Sequence, residues 1–145
     1  MKKQIFIADS ISTTVLVILL YTALSKLLDY HSFKTALSGL PILKSFSGLI
    51  AWLLPVTEIL VSLLLFFPAT RKIGLQLAFG LLTCFTIYLA GMIWLTPGLP
   101  CNCGGMLTSL TWRQHILFNL VFILLSLLGI ILYKKHKETM KQTPP

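Results

Sequence analysis

Four long apolar blocks dominate the sequence, at about residues 5–28, 46–67, 73–95 and 112–133. Each block is long enough to cross the hydrocarbon core of a bilayer, which takes about 20 helical residues. Backbone polar groups in lipid must find partners within the segment, so the blocks are predicted to be helices rather than strands. The pattern therefore predicts an all-α membrane protein with four transmembrane helices.

The composition excludes an ordinary soluble globule. Charged residues make up 11% of the chain, whereas soluble domains carry about 25%. A length of 145 residues suits one domain. We therefore expect a single four-helix transmembrane domain over residues 1–145 that ends in a basic cytoplasmic tail at 134–145.

Basic residues are unevenly distributed around the four blocks. With four spans, both chain ends and the connection between the second and third helices share one side of the membrane. That side carries most of the basic residues, namely Lys2, Lys3, Arg71, Lys72, Lys134, Lys135, Lys137 and Lys141. The other side carries or adjoins the rest, namely Lys26, Lys34, Lys44 and Arg113. The positive-inside rule then predicts that both termini are cytoplasmic. The expected architecture is an antiparallel four-helix bundle in the inner membrane of a bacterium.

This distribution also explains the net charge of +8 without nucleic acid. A basic segment directly after the last apolar block favours anionic lipid headgroups. Membrane lipid is accordingly the expected partner of the tail, and nucleic acid is not expected to bind. The oligomeric state is left open by the pattern.

The segment "PCNCGG" places Cys101 and Cys103 one residue apart, in the connection predicted to face the periplasm. Thiols there meet an oxidising compartment. A disulfide across so short a spacing is liable to strain, and strained disulfides exchange readily. Gly104 and Gly105 give the backbone the necessary conformational freedom. The favoured interpretation is a redox-active pair. Two others stay open: a fixed disulfide or two unpaired thiols in a non-enzymatic membrane subunit or assembly factor, and copper(I) handling by soft ligands.

Polar residues at the start of the fourth block form the next candidate set. Thr111 and Gln114 fit a capping box, which predicts that the helix begins at Trp112. Trp112, His115 and Asn119 then share one helix face. His115 could act as a base for thiolate formation, although a polar residue near a helix end is often structural. Asn119 is expected to hydrogen-bond between helices, and Trp112 to lie at the membrane interface.

Glu58 stands near the middle of the second block. An acidic residue there costs about 2.5–3.5 kcal/mol on insertion scales, so it should face the bundle interior and find a partner. Lys26 is one candidate partner, although it is predicted to lie nearer the outer face and would have to reach inward. A packing role and a proton-relay role are both open for Glu58.

Three segments resemble the MauE/DoxX-like family of small four-helix membrane proteins. They are "ALSKLLDYHSF", "LPVTEILVSLLL", and "PCNCGG" followed by "TWRQHILFNL". The third segment is the most specific and is similar to the redox-associated methylamine utilisation branch, MauE. The resemblance implies a periplasmic thioredoxin-like partner and a role in maturing a disulfide-containing client. The site residues that it implies are Cys101, Cys103 and His115, supported by Lys26, Asp29, Glu58, Trp112 and Asn119.

The arrangement of four spans with outward-facing cysteines also resembles the quinone-linked disulfide oxidants of the vitamin K epoxide reductase family. Those proteins relay electrons between two cysteine pairs, whereas this chain has one close pair and the distant Cys84. Any second dithiol would therefore come from a partner. The predicted function is thus a component of thiol–disulfide exchange. Whether the protein is itself an oxidoreductase stays open. A quinone bound between the helices is compatible with the four-helix architecture. No resident metal is expected.

Overall fold

The computed structural model describes residues 2–38, 44–95 and 112–142. The elements in these ranges are α1 (Lys2–Leu28), α2 (Tyr30–Ser38), a short 3-10 turn η1 (Lys44–Phe46), α3 (Ser47–Phe66), α4 (Arg71–Leu95) and α5 (Trp112–Gln142). Four of these helices, α1, α3, α4 and α5, are long and apolar enough to cross a membrane. The prediction of an all-helical chain with four helices of membrane-spanning length is confirmed for this part of the chain.

The helix boundaries differ from the apolar blocks at the chain ends. α1 begins at Lys2 and α5 continues to Gln142, so much of the segment predicted as a basic tail is helical. The stretch 134–142 contains lysine, glutamate, methionine and glutamine, which are good helix formers, and no glycine or proline. The described part of α5 begins at Trp112, and the predicted cap, Thr111, lies outside the described residues.

The surface is apolar, and the interior combines an apolar core with small polar residues. Large apolar residues point outward, as with Val17 at 58% exposure and Leu124 at 64%. Serines lie inside, with Ser12 and Ser126 at 0% exposure. Ser12 donates to the Ala8 carbonyl at 2.9 Å, which satisfies its hydroxyl within the helix. Outward apolar chains and inward small polar residues are typical of helices packed in lipid.

Glycines allow the helices to approach closely. A Cβ on Gly129 of α5 would lie 2.8 Å from Leu75 Cδ1 and 3.3 Å from Ile11 Cγ2. A Cβ on Gly74 of α4 would lie 2.9 Å from Leu65 Cγ. Leu75 and Leu65 are themselves almost fully buried. The interior therefore depends on small residues at these crossings, as is common in membrane helices.

The short helix α2 packs against α3 rather than extending the first span. Its Phe33 and Leu37 are buried in a small apolar cluster with Ala51. The Tyr30 and Trp52 rings lie 6.2 Å apart beside this cluster. Packing of α2 on α3 brings the Phe33 ring next to the end of α1, where the candidate site lies.

Candidate functional site

A buried ion pair joins the end of α1 to the middle of α3. Lys26 Nζ donates to Glu58 Oε1 at 2.5 Å. Lys26 is 4% exposed and Glu58 is 6% exposed, so both charges are removed from the surrounding solvent and lipid. The prediction that Glu58 faces the interior and finds a partner holds in the structure. Lys26, one of the expected candidates, is that partner.

Aromatic rings surround the ammonium group of Lys26. Its Nζ lies 5.9 Å from the centroid of Phe33 in α2 and 5.6 Å from that of Phe85 in α4. Both distances fall within the range in which a ring face attracts a cation. The charge is therefore held by a carboxylate from α3 and by rings from two further helices.

His115 and Asn119 of α5 complete the polar cluster. Both are 4% exposed, and the His115 ring lies 6.0 Å from that of Phe85 in an edge-to-face arrangement. They line a small cavity of about 40 Å³ together with Lys26 and Glu58. The remaining lining residues are Ile18, Leu19, Thr22, Leu82, Phe85, Phe118 and Phe122. All four helices of membrane-spanning length thus contribute to this one site.

Helical spacing explains how the chain builds this site. Thr22 and Lys26 are four residues apart on α1, and His115 and Asn119 are four apart on α5. Residues at that spacing lie on the same helix face, one turn apart. Each pair therefore points toward the same cavity from its own helix. The face predicted for His115 and Asn119 is the face that meets the ion pair.

Three polar atoms of the cluster lack a hydrogen-bond partner among the residues described. They are Glu58 Oε2, His115 Nδ1 and Asn119 Nδ2. A carboxylate oxygen accepts hydrogen bonds, an amide nitrogen donates them, and an imidazole nitrogen can do either. The cluster therefore combines a compensated ion pair with free acceptor and donor capacity, which suits it to bind a small polar molecule or to transfer a proton.

Comparison with protein families identifies the chain. The sequence model of the family described as "Methylamine utilisation protein MauE" matches residues 4–132. The chain belongs to the MauE family. The match includes every residue of the buried cluster and the segment with Cys101 and Cys103. No curated protein and no solved structure matches the chain.

The remaining site residues predicted for this MauE-family protein are not part of the cluster as described. Asp29 lies between α1 and α2 and is exposed. Trp112 begins α5, but its side chain is outside the described part of the structure. Cys101 and Cys103 lie outside the described residues altogether. Among the residues that are described, no group of three or more histidine, cysteine, aspartate or glutamate side chains could hold a metal ion.

A second polar cluster, not predicted from the sequence, lies at the opposite end of α1. Arg71 at the start of α4 contacts Asp9 Oδ1 at 2.7 Å. The Tyr133 hydroxyl of α5 donates to the same carboxylate at 2.5 Å. Arg71 Nε also donates to the Leu65 carbonyl at 3.3 Å. The sequence signals for this cluster are the acidic Asp9 near the start of the first block and the basic Arg71 in the connection on the same side.

Proposed function

We propose that this MauE-family membrane protein supports thiol–disulfide exchange outside the cytoplasm. Cys101 and Cys103 form the exchanging pair, and a periplasmic thioredoxin-like protein is the partner. The exchange serves the maturation of disulfide-containing client proteins. The observation that carries the proposal is the pair of cysteines in the connection that leads directly into α5, the helix that begins at Trp112 and holds His115.

The proposal includes an orientation. Consecutive spans run antiparallel in the inner membrane, with both termini cytoplasmic and the cysteine segment periplasmic. Two contacts support the antiparallel arrangement: Asp9 near the start of α1 meets Tyr133 near the end of α5, and Lys26 near the end of α1 shares a cavity with His115 near the start of α5. The excess of basic residues on the side of the termini supports the cytoplasmic assignment.

The exchange proceeds by attack of a partner thiolate on one sulfur of the Cys101–Cys103 disulfide. A mixed disulfide forms and the second sulfur of the pair leaves as a thiolate. The other thiolate of the partner then attacks the mixed disulfide. The result is an oxidised partner and a reduced pair, with two electrons transferred. Run in reverse, the same steps reduce the partner. In either direction the second dithiol belongs to the partner, and His115 is proposed to assist thiolate formation.

A trapping experiment in a Cys84→Ser background tests the proposal. In intact cells, a membrane-impermeant maleimide should label Cys101 and Cys103 after reduction and not before it. Replacing one of the two by serine should leave the other in a mixed disulfide with a thioredoxin-like protein, and the covalent adduct should disappear on reduction. A pair that is inaccessible from outside, or single-cysteine variants that form no mixed disulfide, would contradict the proposal.

A double variant separates the other two interpretations. If the pair is only a structural staple, the Cys101→Ser/Cys103→Ser protein should lose thermal stability while client maturation continues normally. If the pair handles copper, the purified protein should bind one copper(I) ion that the double variant does not bind. Membership of the MauE family is compatible with a membrane subunit of either kind.

A further inference from the structure

The buried cluster contains unpaired polar groups that the proposed thiol chemistry does not explain. Glu58 Oε2, His115 Nδ1 and Asn119 Nδ2 are buried polar atoms without hydrogen-bond partners among the described residues, and their side chains line one cavity. An unpaired buried polar group costs about 1–3 kcal/mol. Three such groups around one space are therefore expected to share a ligand.

The size of the cavity limits that ligand. A volume of about 40 Å³ exceeds the roughly 10–15 Å³ that one water molecule requires. It is far below the roughly 150 Å³ of an engineered cavity that binds benzene. A volume of this size suits a water-sized hydrogen-bonding molecule.

The chemistry of the three atoms matches water. One water can donate to Glu58 Oε2, accept from Asn119 Nδ2 and use its remaining capacity at His115 Nδ1, and buried waters typically make about three hydrogen bonds. A small cation would face the Lys26 ammonium, and a small anion would face the free oxygen of Glu58. A neutral molecule that both donates and accepts avoids both repulsions.

We propose that the cavity between α1, α3, α4 and α5 is an internal hydration site, in which water bridges Glu58, His115 and Asn119. The bridge joins the Lys26–Glu58 ion pair to α5 through hydrogen bonds. It gives the carboxylate of α3 and the imidazole of α5 a continuous path along which a proton can pass. The hydration site shares His115 with the proposed thiol chemistry, but its formation requires neither Cys101, Cys103 nor an exchange partner.

Nuclear magnetic resonance on the protein in lipid nanodiscs tests this site. The protein is labelled with ¹⁵N-asparagine and ¹⁵N-histidine. The side-chain amide of Asn119 should then show cross-relaxation with water, and the sign of this signal should be the one that a long-lived bound water molecule produces. Absence of this signal in the wild-type protein would overturn the proposal, and that result depends on no variant.

Two substitutions at Thr22, which lines the cavity, locate the water. Thr22→Ile adds bulk to the cavity and should abolish the Asn119 signal. Thr22→Val leaves the volume nearly unchanged and should preserve it. The matched control is Thr13→Ile, since Thr13 is an exposed residue of the same helix that does not line the cavity. A signal that persists in a folded Thr22→Ile protein would place the water elsewhere and refute the proposal.

Discussion

At the scale of single residues, Lys26 and Glu58 compensate each other's charge inside the membrane. Each charge alone would cost about 2.5–3.5 kcal/mol at the centre of a span. Their 2.5 Å contact neutralises the pair, and the rings of Phe33 and Phe85 lie near the ammonium. The pair is therefore a structural unit, and its two members should not be replaceable separately.

We predict that Lys26→Met destabilises the protein strongly. Removing one partner of a buried ion pair typically costs about 3–5 kcal/mol, because the remaining charge is left uncompensated. The measurement is thermal or denaturant unfolding of the purified protein in detergent. The control is Lys34→Met, which removes an exposed lysine of α2 and should change stability little.

A double-mutant cycle with Glu58→Gln isolates the interaction. The Lys26→Met/Glu58→Gln protein should be more stable than the sum of the single losses implies, by about 0.5–3 kcal/mol. If the stability losses of the two single variants add up to the loss of the double variant, the ion pair contributes no interaction energy. Lys26 and Glu58 would then stabilise the protein through packing alone.

The residue scale also shows what sequence reasoning can and cannot find. A carboxylate in the middle of an apolar block has to be paired, so Glu58 and its candidate partner Lys26 could be predicted. The nearby rings could not, since Phe33 and Phe85 are two of nine phenylalanines and nothing in the apolar pattern distinguishes them. The contacts of Asp9 with Arg71 and Tyr133 could not be predicted. A carboxylate near the end of a span can hydrogen-bond to water as well as to a protein partner.

At the scale of helices, the glycines differ in how much space a side chain would have. A Cβ on Gly74 would lie 3.0 Å from the backbone nitrogen of Leu65, and one on Gly129 would meet the flexible end of Leu75 at 2.8 Å. A Cβ on Gly80 would meet nothing within 4 Å. Backbone cannot move aside as readily as a side-chain methyl group, so the three glycines should differ in their tolerance of alanine.

We predict that stability falls in the order Gly80→Ala, Gly129→Ala, Gly74→Ala. Overpacking at a close crossing costs about 1–3 kcal/mol, which applies to Gly74 and, less severely, to Gly129. Gly80→Ala should be neutral or stabilising, by up to about 1 kcal/mol, because alanine favours the helix. Unfolding in detergent measures all three variants, with Gly80→Ala as the internal control. A destabilised Gly80→Ala protein would show that this face of α4 is packed rather than open.

Helix positions could be predicted from the sequence because length and apolarity alone decide whether a segment can span a bilayer. The helical continuation of α5 to Gln142 was not predicted, since the apolar pattern ends at Tyr133 while helix propensity continues. Likewise, the choice of Gly74 and Gly129 as crossing points follows from three-dimensional register, which one sequence does not contain.

At the scale of the whole molecule, charge decides the orientation in the membrane. The turn between α3 and α4 precedes Arg71 and Lys72, and it belongs to the same side as both termini in a four-span chain. Positively charged connections are retained in the cytoplasm during insertion. In the proposed orientation, the α2 helix lies on the periplasmic side, together with the segment that contains Cys101 and Cys103.

A variant in which Cys84, Cys101 and Cys103 are replaced by serine contains no native cysteine. We predict that two cysteines introduced singly into this variant label from opposite sides of the membrane. Ala69→Cys lies in the α3–α4 turn and Thr35→Cys lies on α2, and both positions are exposed. In intact cells, an impermeant maleimide should label Thr35→Cys and not Ala69→Cys, while both should react after the membrane is permeabilised. The reverse pattern would place Cys101 and Cys103 in the cytoplasm, where thiols are kept reduced, and exchange with a periplasmic thioredoxin-like protein would then be impossible.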